Sequence, residues 1–453
     1  MVSRRGFIRI GTASVGSLAL RRFGVLPALA QSGPDYRALV CVFLLGGNDS
    51  NNTIVPMDDA RFKAYQSIRG SLALTSTDLT PVTSVSAEPF GFHSKLTEVA
   101  GMFSSRELAV VANTGALVQP LTRTQYQNQQ AAIPLNLFSH SDQQVAWQTS
   151  IAQGHSATGW GGRAADYMAS QNINSSDFPT FFSVAGNTIE GAGVSTQPVA
   201  LAPGQSLQLA GFNSSASSQA RLNAVSSLLT TESGVSLVQA ANDTLSHSMN
   251  DASALASALA KGTALKTTFP STSIGAQLKQ VAQIIQVQSY LGMRRQIFFV
   301  TFGGFDTHTN ELNTHNTLYS QLSPALSAFY NATQEIGMAQ NVTTFTESDF
   351  SRTFQPTSAD GSDHGWGSHH LVVGGAVLGG QIYGQFPTFE LGGPNDTDTR
   401  GRWIPTTSID QYGATLCSWF GIPSGAMGTV FPNLTNFSAT NLGFLTNPDQ
   451  AAS

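Results

Sequence analysis

The sequence predicts an α/β protein: a doubly wound, mostly parallel sheet with helices on both faces, plus a helical insertion. Two observations carry this. Short, continuous apolar runs bounded by Gly or polar residues recur at 38–45, 108–112, 178–185, 297–302 and 342–345. Uninterrupted apolar strands are what a sheet buried on both faces requires. Between the runs lie helical spacings such as Leu96, Val99, Ala100, Phe103 and Leu278, Val281, Ile285. Strands alternating with helices are the pattern of parallel crossovers.

The 453 residues suffice for a large core. Charged residues make up only 11%, under half the usual ~25%, so the surface is polar but weakly charged. The first thirty residues hold Arg4, Arg5, Arg9, Arg21 and Arg22 and no acid. Without them, 17 basic residues face 27 acidic ones, a net charge near -10. That balance offers nothing to a phosphate backbone, so nucleic acid is excluded as a partner.

The N-terminus reads as an export signal. A charged start and a short apolar stretch precede Ala28-Leu29-Ala30, an A-x-A site predicting cleavage after Ala30. Arg4-Arg5 followed by Phe7-Ile8 resembles a twin-arginine signal, which predicts passage through the Tat translocase to the periplasm or beyond. The stretch is too short to span a bilayer, and nothing later is long enough, so the mature chain carries no transmembrane segment. Residues 31–453 then read as one domain, with a Ser- and Ala-rich helical insertion at about 203–275 and a polar, frayed end from Asn433. Cys41 and Cys417 are too few for a disulfide framework and read as buried free thiols.

The residues that can do chemistry gather after strands. Asp49 follows the first strand and Gly46-Gly47; Asp306 and His308 follow another strand and Gly303-Gly304. Glu347, Ser348 and Asp349 end a third strand, and Asp363, His364, His369 and His370 crowd into one short segment. In a parallel sheet such strand ends converge on one edge, where ligands bind. Carboxylates with imidazoles are the ligand set of divalent ions, here zinc, manganese, magnesium or calcium. Each residue alone has a plainer use: Asp49 as a turn residue, Asp306 as a helix cap, Asp363 as loop. Ser139 and His140 precede a helix-like run, where a nucleophile would meet free N–H groups, although a simple N-cap is the commoner use. A Ser-His-Asp triad on Ser139 stays open, but no GxSxG elbow is present. Arg352 and Arg163 are candidate anion holders, and Trp366 a candidate pocket wall.

Taken in order, LVCVFLLGGNDSNNTIVP, LFSHSDQQVAWQTS with GWGGR, FGGFDTH, TESDFSRT, GSDHGWGSHHLVVGG, GRWIPTTSIDQYGATLCSWFGIP and FPNL resemble the domain of unknown function 1501 family of twin-arginine-exported bacterial proteins. That family is grouped with the alkaline-phosphatase and sulfatase-like superfamily, whose members typically use two metals. The resemblance implies metal ligands at Asp49, Asp306, His308, Asp349 and His364, and a nucleophile at Ser139, with Ser141 close behind. It departs at Phe350, where a ligating histidine would stand, and in having a single residue between Asp306 and His308. The reading it favours is a metal-dependent hydrolase of small-molecule or glycan phosphate or sulfate esters. The alternative is a non-catalytic envelope or glycan-binding protein on a degenerate scaffold, and a metal-free esterase is a third.

Overall fold

A computed structural model describes residues 35–205, 207, 215–230 and 234–446. The export signal at 1–30 lies outside them. The centre is a nine-stranded sheet. Its strands are β1 (Arg37–Leu45), β5 (Leu108–Gly115), β6 (Phe181–Ser183), β7 (Val199–Ala200), β8 (Arg295–Gly303), β9 (Val342–Ser348), β10 (Ser368–Val373), β11 (Ile382–Gly384) and β12 (Thr407–Ser408). They lie in the order β11-β5-β10-β9-β1-β8-β6-β7, with β12 also on β5. All pairings are parallel except those of β10, which runs against both β5 and β9. A small antiparallel sheet of β2 (Ile54–Pro56), β3 (Leu79–Thr83) and β4 (Pro89–His93) stands beside it.

The apolar run of β1 explains its central place. Ala38, Val40, Val42 and Leu44 face one core with the helices Thr97–Ser104, Ser273–Gln286 and Glu311–Glu335. Leu39, Cys41 and Phe43 face a second core with Trp147, Trp160, Tyr412 and Trp419 from the opposite helical layer. Both faces are therefore dry, and the strand needs no polar alternation. Cys41 and Cys417 are buried and unpaired with each other, as composition predicts.

Two sequence expectations change. The pair His369-His370 belongs not to a ligand-bearing loop but to β10, buried between its neighbours. His369 Nδ1 accepts the Asn113 N–H at 2.9 Å, and the His370 ring packs on Trp147. Burial drives the pKa of each down to about 3, which keeps both neutral. The C-terminal stretch is not frayed up to Thr446: Phe437, Phe444 and Leu445 are buried, and Leu445 bridges to Val377. The region 203–275 does hold helices, Ala216–Leu229 and Ser236–Leu259. Only Leu255 and Ala258 of the longer one enter the core, while Leu237 and Leu245 stay exposed.

Because the strands around β1 are parallel, Leu45, Gly303 and Ser348 bring three loops to one edge. The Gly46-Gly47 pair makes their approach possible. A Cβ on Gly46 would lie 2.5 Å from the Asp306 nitrogen, and one on Gly47 2.5 Å from the Phe350 ring. Both also hold φ values, +110° and +81°, that side chains resist. Gly47→Ala is therefore expected to cost about 1–3 kcal/mol of stability through overpacking, read by urea or thermal unfolding. An unchanged midpoint would count against a tight fit here.

Candidate metal centre

Asp306 stands where the three loops meet. Arg352, fully enclosed, donates from Nη1 to its Oδ1 at 2.9 Å and to the Gly46 carbonyl at 3.3 Å. The same guanidinium reaches the Ser362 carbonyl from Nη2 at 2.6 Å. Burial alone would push the Asp306 carboxyl up. The Arg352 hydrogen bond and charge, with His308 and His140, overcome that and hold it below the usual range.

Three imidazoles converge on the same oxygen. The Nε2 atoms of His308, His140 and His364 lie 3.1, 3.4 and 3.5 Å from Asp306 Oδ1. His308 Nε2 and His364 Nε2 are 3.0 Å apart. The opposite ring nitrogens are anchored on oxygen: His140 Nδ1 on Asp349 at 2.6 Å, His364 Nδ1 on the Phe138 carbonyl at 2.6 Å, and His308 Nδ1 on Asp363 at 3.4 Å. A carbonyl can only accept, so His364 Nδ1 carries a proton; the Asp349 carboxylate asks the same of His140. In the neutral rings, the Nε2 lone pairs then face a carboxylate oxygen. Acceptors pointed at an acceptor repel unless a proton or cation lies between them. His140 Nε2 is indeed buried with no hydrogen-bond donor. The ligand atoms of His140, Asp306 and His364 lie within 4.8 Å of one another, a donor set that fits a single divalent cation, with His308 beside it on Asp306 and His364.

The surroundings orient these ligands. Asp349 also accepts from Gln144 at 2.9 Å and from the Gly46 N–H at 3.2 Å. Gln144 lies one turn after His140 on the helix His140–Thr149, so both reach the same carboxylate. The hydrogen bond that His140 donates to Asp349 raises the His140 pKa; burial opposes this, and the charges of Asp349 and Asp306 add to it. Desolvation lowers that of His364. Phe350 sits where the resemblance wants a ligand. Its ring lies 4.8 Å from that of His140 and 4.7 Å from that of His364, walling both. Asp363 is held by Arg400 at 2.5 Å.

The other sequence candidates lie elsewhere or act differently. Asp49 does not join the histidines; it is fully buried, 2.5 Å from Arg69 Nη2, with Glu311 on the same guanidinium at 3.1 Å. Burial would raise the Asp49 carboxyl, but Arg69 holds it below its usual range, while burial and the Asp49 charge push Glu311 up. One guanidinium thus meets one carboxylate charge. Ser139 stands at the N-cap position without a capping bond from its side chain and gives its hydroxyl to Asp142 at 2.5 Å, with Ser141 beside it at 3.2 Å. Arg163 is spent on the carbonyls of Thr149, Thr158 and Val430 and holds no anion. Trp366 fills a core with Leu117 and Ile404 and bonds the Ala116 carbonyl. Arg69, Gln144 and Glu311 gave no sequence signal, since each lies on a helix of ordinary composition. Arg69→Met is expected to destabilise by about 3–5 kcal/mol, the usual cost of orphaning a buried charge, measured by chemical unfolding at neutral pH. Asp49's depressed pKa lends stability above its unfolded value and loses it as pH falls, so the penalty should shrink in acid.

Among solved structures, the chain is similar to Ps i-CgsB, at 7% identity over 88% of this chain and 77% of that one, with a TM-score of 0.36. It is similar to the lipoteichoic acid synthase LtaP from Listeria monocytogenes, at 7% identity over 92% and 76%, TM-score 0.35. The C-terminal periplasmic domain of EcEptC from Escherichia coli, a complex with Zn, matches at 10% identity over 75% and 73%, TM-score 0.28. Likeness this distant carries no functional argument. No curated protein matches in sequence. Residues 36–398 match the family described as "Protein of unknown function (DUF1501)", and with most of its length covered the chain belongs to that family.

Proposed function

We propose that the protein is an exported, metal-dependent hydrolase of phosphate or sulfate esters built on a one-cation centre. The convergence of three histidine Nε2 atoms on Asp306 Oδ1 carries this reading. A divalent cation held by His140, His364 and Asp306, with His308 at its edge, would supply a Lewis acid for the ester oxygen. Arg69 already compensates the charge carried by Asp49 and Glu311, so this reading needs one cation and not two. The chain's own groups orient and neutralise. Asp349 and the Phe138 carbonyl fix the tautomers of His140 and His364, so that their lone pairs point inward. Arg352 holds Asp306 ionised and in place; with its donors engaged by protein oxygens, it is a positioning residue. Asp306 and His308 are 48% and 44% exposed, so the centre opens to solvent and admits an ester on a large molecule. Arg4-Arg5 and the Ala28-Leu29-Ala30 site support export.

The metal-free esterase loses its support. In a triad His140 would turn a nitrogen to Ser139, but its nitrogens face Asp349 and Asp306, and the Ser139 hydroxyl turns to Asp142. That same engagement of Ser139 favours the second reading, a binding protein that holds a cation without turnover.

Elemental analysis of protein purified without chelators is expected to find bound divalent ion, with about one ion per chain lost in Asp306→Ala. Phosphate or sulfate ester hydrolysis should disappear in the same variant. Metal without hydrolysis of either ester class would favour the binding protein; no metal after incubation with zinc, manganese and calcium would sink both. Asp349→Asn should weaken cation affinity about 10–100-fold, as losing an outer partner of a ligating histidine does. A histidine ligates only when neutral, so affinity should be full above the raised His140 pKa and fall as pH drops through it, checked by zinc titrations between about pH 5 and 8. A flat profile would remove His140 from the ligand set.

A further inference from the structure

A second group of ligand-type side chains lies inside the protein. Cys41 of β1, Glu347 of β9 and Glu190, which follows β6, bring their ligand atoms within 4.8 Å of one another. All three are enclosed, Cys41 and Glu190 with no exposure at all. Among the described residues, neither oxygen of Glu190 has a hydrogen-bond donor, and neither does Oε2 of Glu347. An ionised carboxylate buried alone costs several kcal/mol even after relaxation, and here no protein donor offsets it at Glu190.

The placement of Glu190 is built into the backbone. Its segment lies directly on the start of the helix Trp160–Ser170, where Gly162 N–H donates to the Glu190 carbonyl at 2.7 Å and Gly159 N–H to the Ala192 carbonyl at 2.9 Å. A Cβ on Gly159 would sit 2.2 Å from the Glu190 carbonyl oxygen, and one on Gly162 2.1 Å from that of Ala192. A Cβ on Gly191 would strike the Phe181 ring at 2.2 Å. The GWGGR motif thus admits, among the described residues, an acid with no donor to receive it.

We propose that Cys41, Glu190 and Glu347 form an internal cation site, separate from the histidine centre, for a borderline divalent ion of the zinc, iron(II) or cobalt(II) kind. One thiolate with carboxylates suits such ions, and the free second oxygen of Glu190 allows a two-oxygen grip. From the all-protonated cluster, binding through the Cys41 thiolate and the Glu190 carboxylate releases two protons for each divalent ion, and with Glu347 keeping its proton the site stays neutral in its apolar surroundings. Being enclosed, the site takes its ion during folding, and the ion braces β1 against β9 directly behind the strand ends.

The test is growth in cobalt medium, followed by absorption spectroscopy and elemental analysis of the whole folded protein. A sulfur-to-cobalt charge-transfer band in the near ultraviolet reports thiolate ligation, which the histidine centre cannot produce. The band is expected in wild type, in Cys417→Ser and in an Asp306→Ala/His308→Ala double variant. It should vanish in Cys41→Ser, with cobalt falling by about one ion per chain, since a lost ligand frees its ion. Glu190→Gln should lose the same ion. Absence of the band in folded wild-type protein, or its survival in Cys41→Ser, overturns the proposal and makes the cluster a neutral, proton-sharing pair of acids. If Cys41→Ser does not fold, the wild-type spectrum and Glu190→Gln decide. Failure of the histidine centre would show instead as loss of the other ion with the band intact.

Discussion

Arg352 is the interaction on which the strand-end region depends. Its guanidinium is removed from water, a cost of several kcal/mol that acceptors must offset. Those acceptors come from three places: the Gly46 carbonyl after β1, Asp306 after β8, and Ser362 further along. All three loops must be in position together for the cation to be satisfied. The Gly46-Gly47 pair lets them come that close, and Phe350, packed beneath Gly47, closes the floor under two of the histidines. A single buried cation therefore locks the geometry that turns separate strand ends into one site.

Three buried or half-buried acid clusters are handled in different ways. Asp49 receives an internal guanidinium, Arg69, and becomes part of the scaffold. Asp306 shares Arg352 with carbonyl acceptors and faces imidazole lone pairs, so it keeps its negative character at an opening to solvent. Glu190 and Glu347 receive no guanidinium at all. What separates these clusters is how fully the fold compensates the acid and whether it stays open to solvent: Asp49 is enclosed with Arg69, whereas Asp306 is half exposed beside Arg352. At the first strand end the acid is met by an arginine from the end of the helix Asp59–Arg69.

The apolar runs of β1, β5, β8 and β9 and the helices between them were legible because burial on both faces leaves a continuous signal in the chain. So was the gathering of Asp306, His308 and His364 at strand ends. Strand β10 was not, because His369 and His370 resemble ligands in a string of letters and become core residues only when their rings meet Asn113 and Trp147. The resemblance supplied Asp49 as a ligand by position, and position alone says nothing of the arginine 20 residues later.

By itself the sequence determined the alternation of buried strands and helices, the glycines at the strand ends and the supply of acids and imidazoles. Only the tertiary structure decided which acid meets which partner. His140 is 209 residues from Asp349, and Arg352 is 46 from Asp306. Periodicity reports how a segment lies against its immediate surroundings. Charge compensation acts over a few ångströms through space, so the fate of each carboxylate is settled when distant loops pack together.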